Sequence, residues 1–545
     1  MKESFLKKQF DVVQSTKDTI SVKMTVAGVA TILMSVLSII RLHVIALAAC
    51  SIIMSAVVYF ICRHEFNDAL ISLFKMKPSN DTFNVLALIA VVIRAISLFF
   101  TEDATAYFFC PILFASITVS MIMKLLFASD IDENIKMLRR RKPYLVHTAK
   151  LNLRNKTIDN ACMVSPAESS PDIVNITYSD DPSEAKSKFF IPVITVIIII
   201  ISIILLFLKG TTAFFTALSS LFIICASFTG EMAFVLPYVV AQTRLRRMGS
   251  MLLGYQSVEE LKDVDTLLLT DVELFPQRLA RLEKVKFLNK PYMSKAIEYT
   301  ATLMKETHSP IKEAFWDVLG FSDEKLAEVE HIKSIKNQGI SAIMEGNHVL
   351  LGNRALLHAN NVSPYSSEKE ASMATANGSI IYCAINGELA AILMVQYIND
   401  PEIKRSAEHV GGDFNIVVET EDCNVNENMI KKQYDMPNTK IIVPNNEETK
   451  QIEELRAKLA KTPQTPVMIS SEKAIGILAS VRHAKMLYET INFSILIKHI
   501  SIVLGITLST VAFFLSPGSV SSFWLLIFNI IWSIPIFIVS FLKNK

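Results

Sequence analysis

VEELKDVDTLLLTDVELFP, residues 258–276, is the stretch that decides how this 545-residue chain is read. Leu267, Leu268 and Leu269 form a short apolar run that ends in Thr270 and Asp271. Such a run predicts a buried strand delivering polar side chains at its carboxyl end, where open α/β sheets place their chemistry. The plainer alternative is a strand entering a loop that happens to hold an Asp.

Composition sets the frame around that strand. Hydrophobic residues make up 51% of the chain and the mean hydropathy is +0.38, too apolar for a soluble protein of this size. The net charge of +2 gives no nucleic-acid footprint, so none is expected among the partners. The seven Cys include no CxxC pair, which argues against a disulfide framework and an amino-terminal metal module. The opening MKESFLKKQFDVVQ lacks the apolar core of a signal peptide.

Eight windows are apolar enough to cross a bilayer: 24–40, 43–61, 83–100, 107–127, 189–208, 212–240, 500–515 and 522–542. Basic residues gather on one side, at Lys7, Lys8 and Lys17, at Lys75 and Lys77, at 139–142, and at Arg244, Arg246 and Arg247. The positive-inside rule then places both termini and both large loops in the cytoplasm, with the chain integral to the plasma membrane. The lipid bilayer is the first expected partner. Arg94 and Glu231 fall inside spans, where charge is costly. They either neutralise each other or belong to a polar pathway through the membrane.

Two polar regions separate the spans. Residues 129–188, after spans 1–4 (1–128), read as a small loop domain at best, with a few short strands, such as 173–178, and no sizeable core. After spans 5–6 (189–240), residues 241–488 hold two domains. Strands and helices alternate over 241–277 and 396–488, the pattern of a parallel, doubly wound sheet. An insert over 278–395 carries a helical stretch and antiparallel strands with hairpin turns at Glu345-Gly346 and Asn386-Gly387. Spans 7–8 close the chain (489–545).

This order of spans, with a cap domain inserted into a doubly wound domain, resembles the heavy-metal-transporting branch of the P-type ATPases. Val264, Asp265 and Thr266 match the opening of that family's VDTxxxDKTGTLT segment. FFIPVITV, Pro237, and AQTRLRRMGSMLLGYQSVEEL (241–261) are similar to its connecting segments. Asp400 and Lys404 resemble its return into the second half of the domain. The resemblance implies a haloacid-dehalogenase-like α/β domain with a nucleotide-binding-like insert, and ATP or ADP as ligand. It assigns His308, Gly339, Gly346, Gly352 and Asn353 to the nucleotide, and Thr270, Asp271, Thr420 and Asp422 to the degenerate catalytic positions.

The chemistry departs from the family where the frame does not. Its phosphorylated Asp falls on Thr270, whose phosphate ester would be among the slowest to hydrolyse unaided. Asp271 lies one residue along the strand, on the other face, and needs a bulge to substitute. The TGD segment becomes Thr420-Glu421-Asp422, and a bulky acid there would repel phosphate. The region 465–478 carries no Asp of the GDGxND kind, which leaves Mg²⁺ without its usual ligand. The family's CPC triplet falls on Phe228-Thr229-Gly230, with Cys225 alone nearby; one thiol does not close a soft-metal site. No metal ligand is assigned, and Cys225, Glu231 and Arg94 stand as membrane-site candidates. The expectation is a pseudoenzyme acting as a regulatory, nucleotide-sensing or partner subunit, with a protein partner in the membrane. The alternatives are an ATP-driven cation transporter with unorthodox residues, and a structural or assembly membrane protein.

Overall fold

The computed structural model describes residues 2–40, 43–100, 108–140, 144–154, 156–166, 172–178, 181–276, 279–307, 309–319, 326–373, 378–410, 414–461, 466–470, 474–515 and 520–542. Among these, nine helices build the membrane part: α1 (Lys2–Ile39), α2 (Val44–Ile61), α3 (Thr82–Ser97), α4 (Cys110–Arg140), α5 (Phe190–Lys209), α6 (Thr211–Cys225), α7 (Thr229–Arg247), α8 (Ala474–Leu515) and α9 (Ser522–Leu542). With α6 and α7 taken together, seven are long and apolar enough to cross a bilayer; α3 is apolar but shorter. Inside hydrocarbon a single segment can satisfy its own backbone groups only as a helix, which overrides the weak helix preference of the Ile run in α5. Gly210, at φ +91°, turns the chain between α5 and α6.

One expected span differs. The stretch 212–240 is broken at Ala226–Phe228 between α6 and α7, with the Ala226 carbonyl taken by the Ser116 hydroxyl and the Phe228 amide by Asn529 (3.2 Å). Backbone freed from a helix at membrane depth survives when neighbouring side chains occupy it in this way.

Several helices outrun the bilayer. The 42 residues of α8 span about 63 Å at 1.5 Å per residue. The polar ends of α1, α4, α7 and α8 pack beyond the apolar zone as a stalk. Asp130, on α4, is fully buried and accepts from Arg246 on α7. Arg246 also reaches Asn134 at 2.9 Å, and Lys17 on α1 meets Asp132 at 2.7 Å.

Thirteen strands among the described residues form two sheets. The strands are β1 (Tyr144–Leu153), β2 (Lys156–Pro166), β3 (Ser250–Leu252), β4 (Thr266–Thr270), β5 (Arg281–Phe287), β6 (Val329–Ile335), β7 (Gly339–Met344), β8 (Asn347–Gly352), β9 (Gly378–Ile385), β10 (Glu388–Gln396), β11 (Asn415–Glu419), β12 (Lys440–Ile442) and β13 (Met468–Ser470). The insert is a six-stranded sheet, β5-β10-β9-β8-β7-β6, with every neighbour antiparallel. Its turns at Glu345-Gly346 and Asn386-Gly387 have φ > 0 at both residues, as expected for tight hairpins. The α/β domain is a seven-stranded sheet, β12-β11-β4-β2-β1-β13-β3. Strand β4 sits inside it, buried through Leu267, Leu268 and Leu269, and pairs in parallel with β11 and β2.

The first polar loop departs most from expectation. Residues 144–166 are a hairpin lodged in the α/β sheet between β4 and β13. They share its core, since Leu151, Leu153, Ala161 and Met163 are buried against Leu268, Val417, Ile442 and Ile452. The stretch Ile173–Tyr178 is a helical turn instead of a strand. Its β-branched residues suggested a strand, but the Asp172 carboxylate accepts from the Asn175 amide (3.2 Å) and starts a helix.

Candidate functional site

Strand β4 ends at Thr270, which is extended and half-buried, and Asp271 opens a one-turn helix, Asp271–Leu274. No bulge is needed to redirect Asp271, because the turn itself brings its carboxylate against the end of the neighbouring β11. There the Thr420 hydroxyl donates to Asp271 Oδ2 at 2.6 Å, while Asp271 Oδ1 accepts the Val272 amide at 2.7 Å. The same Thr420 oxygen accepts the Asp422 amide at 2.9 Å. Glu273 folds back to accept the Thr270 amide at 2.9 Å.

Asp422 is tied from the insert. Ser309 donates to its Oδ2 at 2.5 Å, and Tyr397 lies 2.8 Å from both of its oxygens. Sequence reasoning assigned no role to Ser309 or Tyr397, although Ser309 directly follows His308, which the resemblance had picked out. The structure therefore brings Asp271, Thr420 and Asp422 into one chain of hydrogen bonds, with Thr270 at its rim.

This cluster is buried and acidic. Asp271 is 3% exposed, and burial pushes its carboxyl up to about 8. The Thr420 hydrogen bond works against that rise, while Asp422 and Glu421 add to it with charge of the same sign. Asp422 is also raised by burial.

The described residues among those assigned to a nucleotide separate into three kinds. His308 lies outside the described residues. Gly346 is a hairpin-turn residue. Gly339 and Gly352 are register partners where two backbones nearly touch: a Cβ on Gly352 would sit 2.1 Å from the Gln338 carbonyl oxygen, and one on Gly339 2.3 Å from that of Leu351. Asn353 caps the helix Arg354–Ala359, accepting the Ala355 amide at 2.9 Å, and donates to the Cys423 carbonyl at 2.9 Å. Gly339 faces a small cavity of about 20 Å³ shared with Met304, Ser309 and Asp422. Lys336 closes the same side of the insert onto the α/β domain, through the Pro444 carbonyl (3.0 Å) and Thr449.

The membrane candidates lie at two places. Cys225 and Glu231 line a polar cavity at the α6–α7 break, together with Asn80, Ser120, Ser227 and Lys498. Its volume of about 10 Å³ has room for about one water. Lys124 pairs with Asp81 and lies 3.8 Å from Glu231. Lys498 is 3% exposed and donates to Asn80 (2.8 Å) and Ser183 (2.7 Å). Arg94 is buried in α3 and lines a different cavity with Ser51, Cys110 and Ser219. Lys124 and Lys498 went unremarked in the sequence, although a Lys in or beside an apolar window is the kind of signal that picked out Arg94.

No family model matches the chain. Solved structures similar to it include a zinc-transporting PIB-type ATPase in its E2.Pi state, at 10% identity and a TM-score of 0.49, covering 96% of this chain and 100% of that one. A second structure of a zinc-transporting PIB-type ATPase, in another E2 state, aligns at 11% identity, with the same TM-score and 96% and 99% coverage. The catalytic domain of the CPx-ATPase CopB-B covers 40% of this chain and 76% of its own, at 15% identity and a TM-score of 0.27. What defines the class here is the chain's own architecture: a helical membrane bundle carrying a doubly wound α/β domain split by an antiparallel insert. That architecture, a helical membrane domain with a doubly wound α/β domain and an inserted antiparallel one, is the one read from the sequence.

Proposed function

We propose that this chain is an integral membrane protein of P-type ATPase-like fold that forms no phosphoenzyme and acts as a regulatory or partner subunit. The state of Asp271 carries this reading. A carboxylate that attacks phosphorus must be ionised and accompanied by positive charge. Asp271 is buried among carboxyl groups, with its oxygens engaged by Thr420 and Val272. Thr270, at the half-buried rim, offers a hydroxyl in its place. The decisive experiment incubates purified full-length protein with radiolabelled MgATP, quenches in acid and maps label to 264–276. The expected result is no acyl phosphate and no vanadate-sensitive hydrolysis. Label on Asp271, lost in Asp271→Asn, would overturn the proposal.

Nucleotide sensing is the finer part of the proposal and rests on the antiparallel insert and the residues that the sequence resemblance assigns to a nucleotide, since the cavity of about 20 Å³ at Gly339 is water-sized. A thermal-shift titration with ATP and ADP, with and without Mg²⁺, tests it, because a ligand of the folded form raises the midpoint. A second reading, cation transport, is supported by the broken helix that sets Glu231 and Cys225 on a polar cavity. ATP-dependent uptake into proteoliposomes would favour it over the first.

A further inference from the structure

We propose that Lys186 and Lys262, which converge on the ring of Tyr488 where the membrane bundle meets the α/β domain, hold the phosphate diester of an anionic phospholipid. Three segments build this place. Lys186 lies on the short helix Pro182–Ser187, just ahead of α5. Lys262 ends the helix Gly254–Lys262, which leads into β4. Tyr488 belongs to α8. Lys262 Nζ stands 4.0 Å from the Tyr488 ring centroid and Lys186 Nζ 5.7 Å from it, within cation–π range. The Tyr255 ring backs Tyr488 in a stack at 6.4 Å. Lys186 also donates to Asn492, and Ser187 Oγ lies 3.0 Å from His499 Nε2, so the short helix is fastened along α8.

Positive charge gathers here without an equal share of carboxylate. Among the described residues, Lys186 and Lys188 have no ion pair, and Lys262 has its chain neighbour Asp263 at 3.9 Å. Glu259 acts on both Lys186 and Lys262 through space, with no ion-pair contact. Two ammoniums sharing one ring therefore leave a position for a single anion that takes a charge-assisted hydrogen bond from each. The surroundings select a lipid over a soluble ion. Phe189, beside the Lys188 ammonium, is 70% exposed, and Val193 on α5 with Phe493 and Leu496 on α8 carry exposed apolar side chains in the turns that follow. Ammoniums at one end of an apolar flank match a headgroup and its acyl chain, whereas free phosphate would use the ammoniums alone. A lipid held there would tie the helix that leads into β4 to α5 and α8. The α/β domain would then respond to membrane charge whether or not the chain turns over ATP.

The test follows the melting midpoint of the purified full-length protein in neutral detergent as phosphatidylglycerol, phosphatidylcholine or inorganic phosphate is added. Phosphatidylglycerol should raise the midpoint by several degrees and the other two should not, because a ligand of the folded form stabilises it. Lys186→Gln with Lys262→Gln should abolish that rise, while Lys75→Gln, at an exposed Lys closing the helix Arg63–Phe74, should keep it. Equal shifts with phosphatidylcholine, none with phosphatidylglycerol, a rise that survives the double variant, or the same loss in Lys75→Gln would overturn the site. A shift with inorganic phosphate matching that of the lipid would overturn the lipid as occupant. Should the double variant not fold, native mass spectrometry of the two single variants decides. Each should shed bound phosphatidylglycerol several-fold more readily than the unaltered protein, and equal retention would refute the proposal.

Discussion

The Asp271 carboxyl is buried against Thr420, a residue 149 positions away in the chain, and burial raises it well above the ordinary carboxylate range. With a folded pKa of about 8 against an ordinary value near 4, the folded form holds a proton that the unfolded form releases between those limits. Stability from this group is therefore greatest at low pH and is lost as pH climbs from about 4 to about 8. Asp271→Asn should raise the melting temperature at pH 8 by the equivalent of about 1–2 kcal/mol and do little at pH 5, read by differential scanning fluorimetry. Gly352 was assigned to a ligand by resemblance, whereas the close crossing of two backbones accounts for it. Gly352→Ala should cost about 3 kcal/mol, seen as a lower urea midpoint for the insert, with or without nucleotide.

Among elements, those with a strong period or long apolar content were readable, and those defined by distant pairing were not. The membrane helices and the alternation after Asp400 could be seen in the chain because each carries its own signal. The hairpin β1–β2 could not be placed, because nothing local says which strands flank it. The break between α6 and α7 was hidden for a similar reason: its supports, Ser116 and Asn529, come from other helices. The stalk gives an element-scale test. Arg246→Ala leaves Asp130 buried without its partner and should cost about 3–5 kcal/mol, whereas Arg246→Leu with Asp130→Leu should recover most of that loss. Within the sheet, Leu151→Ala should cost about 2–5 kcal/mol and destabilise the α/β domain as a whole, because that side chain sits in the core with Leu268 and Val417. Limited proteolysis of both variants, followed by mass mapping, separates local from domain-wide loosening.

For the whole molecule, the membrane bundle and the seven-stranded sheet are joined by α8, whose first turns share a core with β3 and whose later turns share the core of the bundle. Gly505, on α8, marks where that continuity meets the bundle most tightly: a Cβ there would lie 2.5 Å from Ile224 and 2.9 Å from Phe528. Gly505→Leu should therefore pry α8 from α6 and α9 and lower the melting temperature in detergent by several degrees, while leaving the insert's exchange protection unchanged. The unbroken run of α8 from Ala474 to Leu515 has a mechanical meaning. It is a push-rod with no elbow. A protein that grips the seven-stranded sheet from the water would tug on the Ile224–Phe528 seam deep in the lipid, and a lipid-side neighbour that shifts that seam would be felt at the sheet.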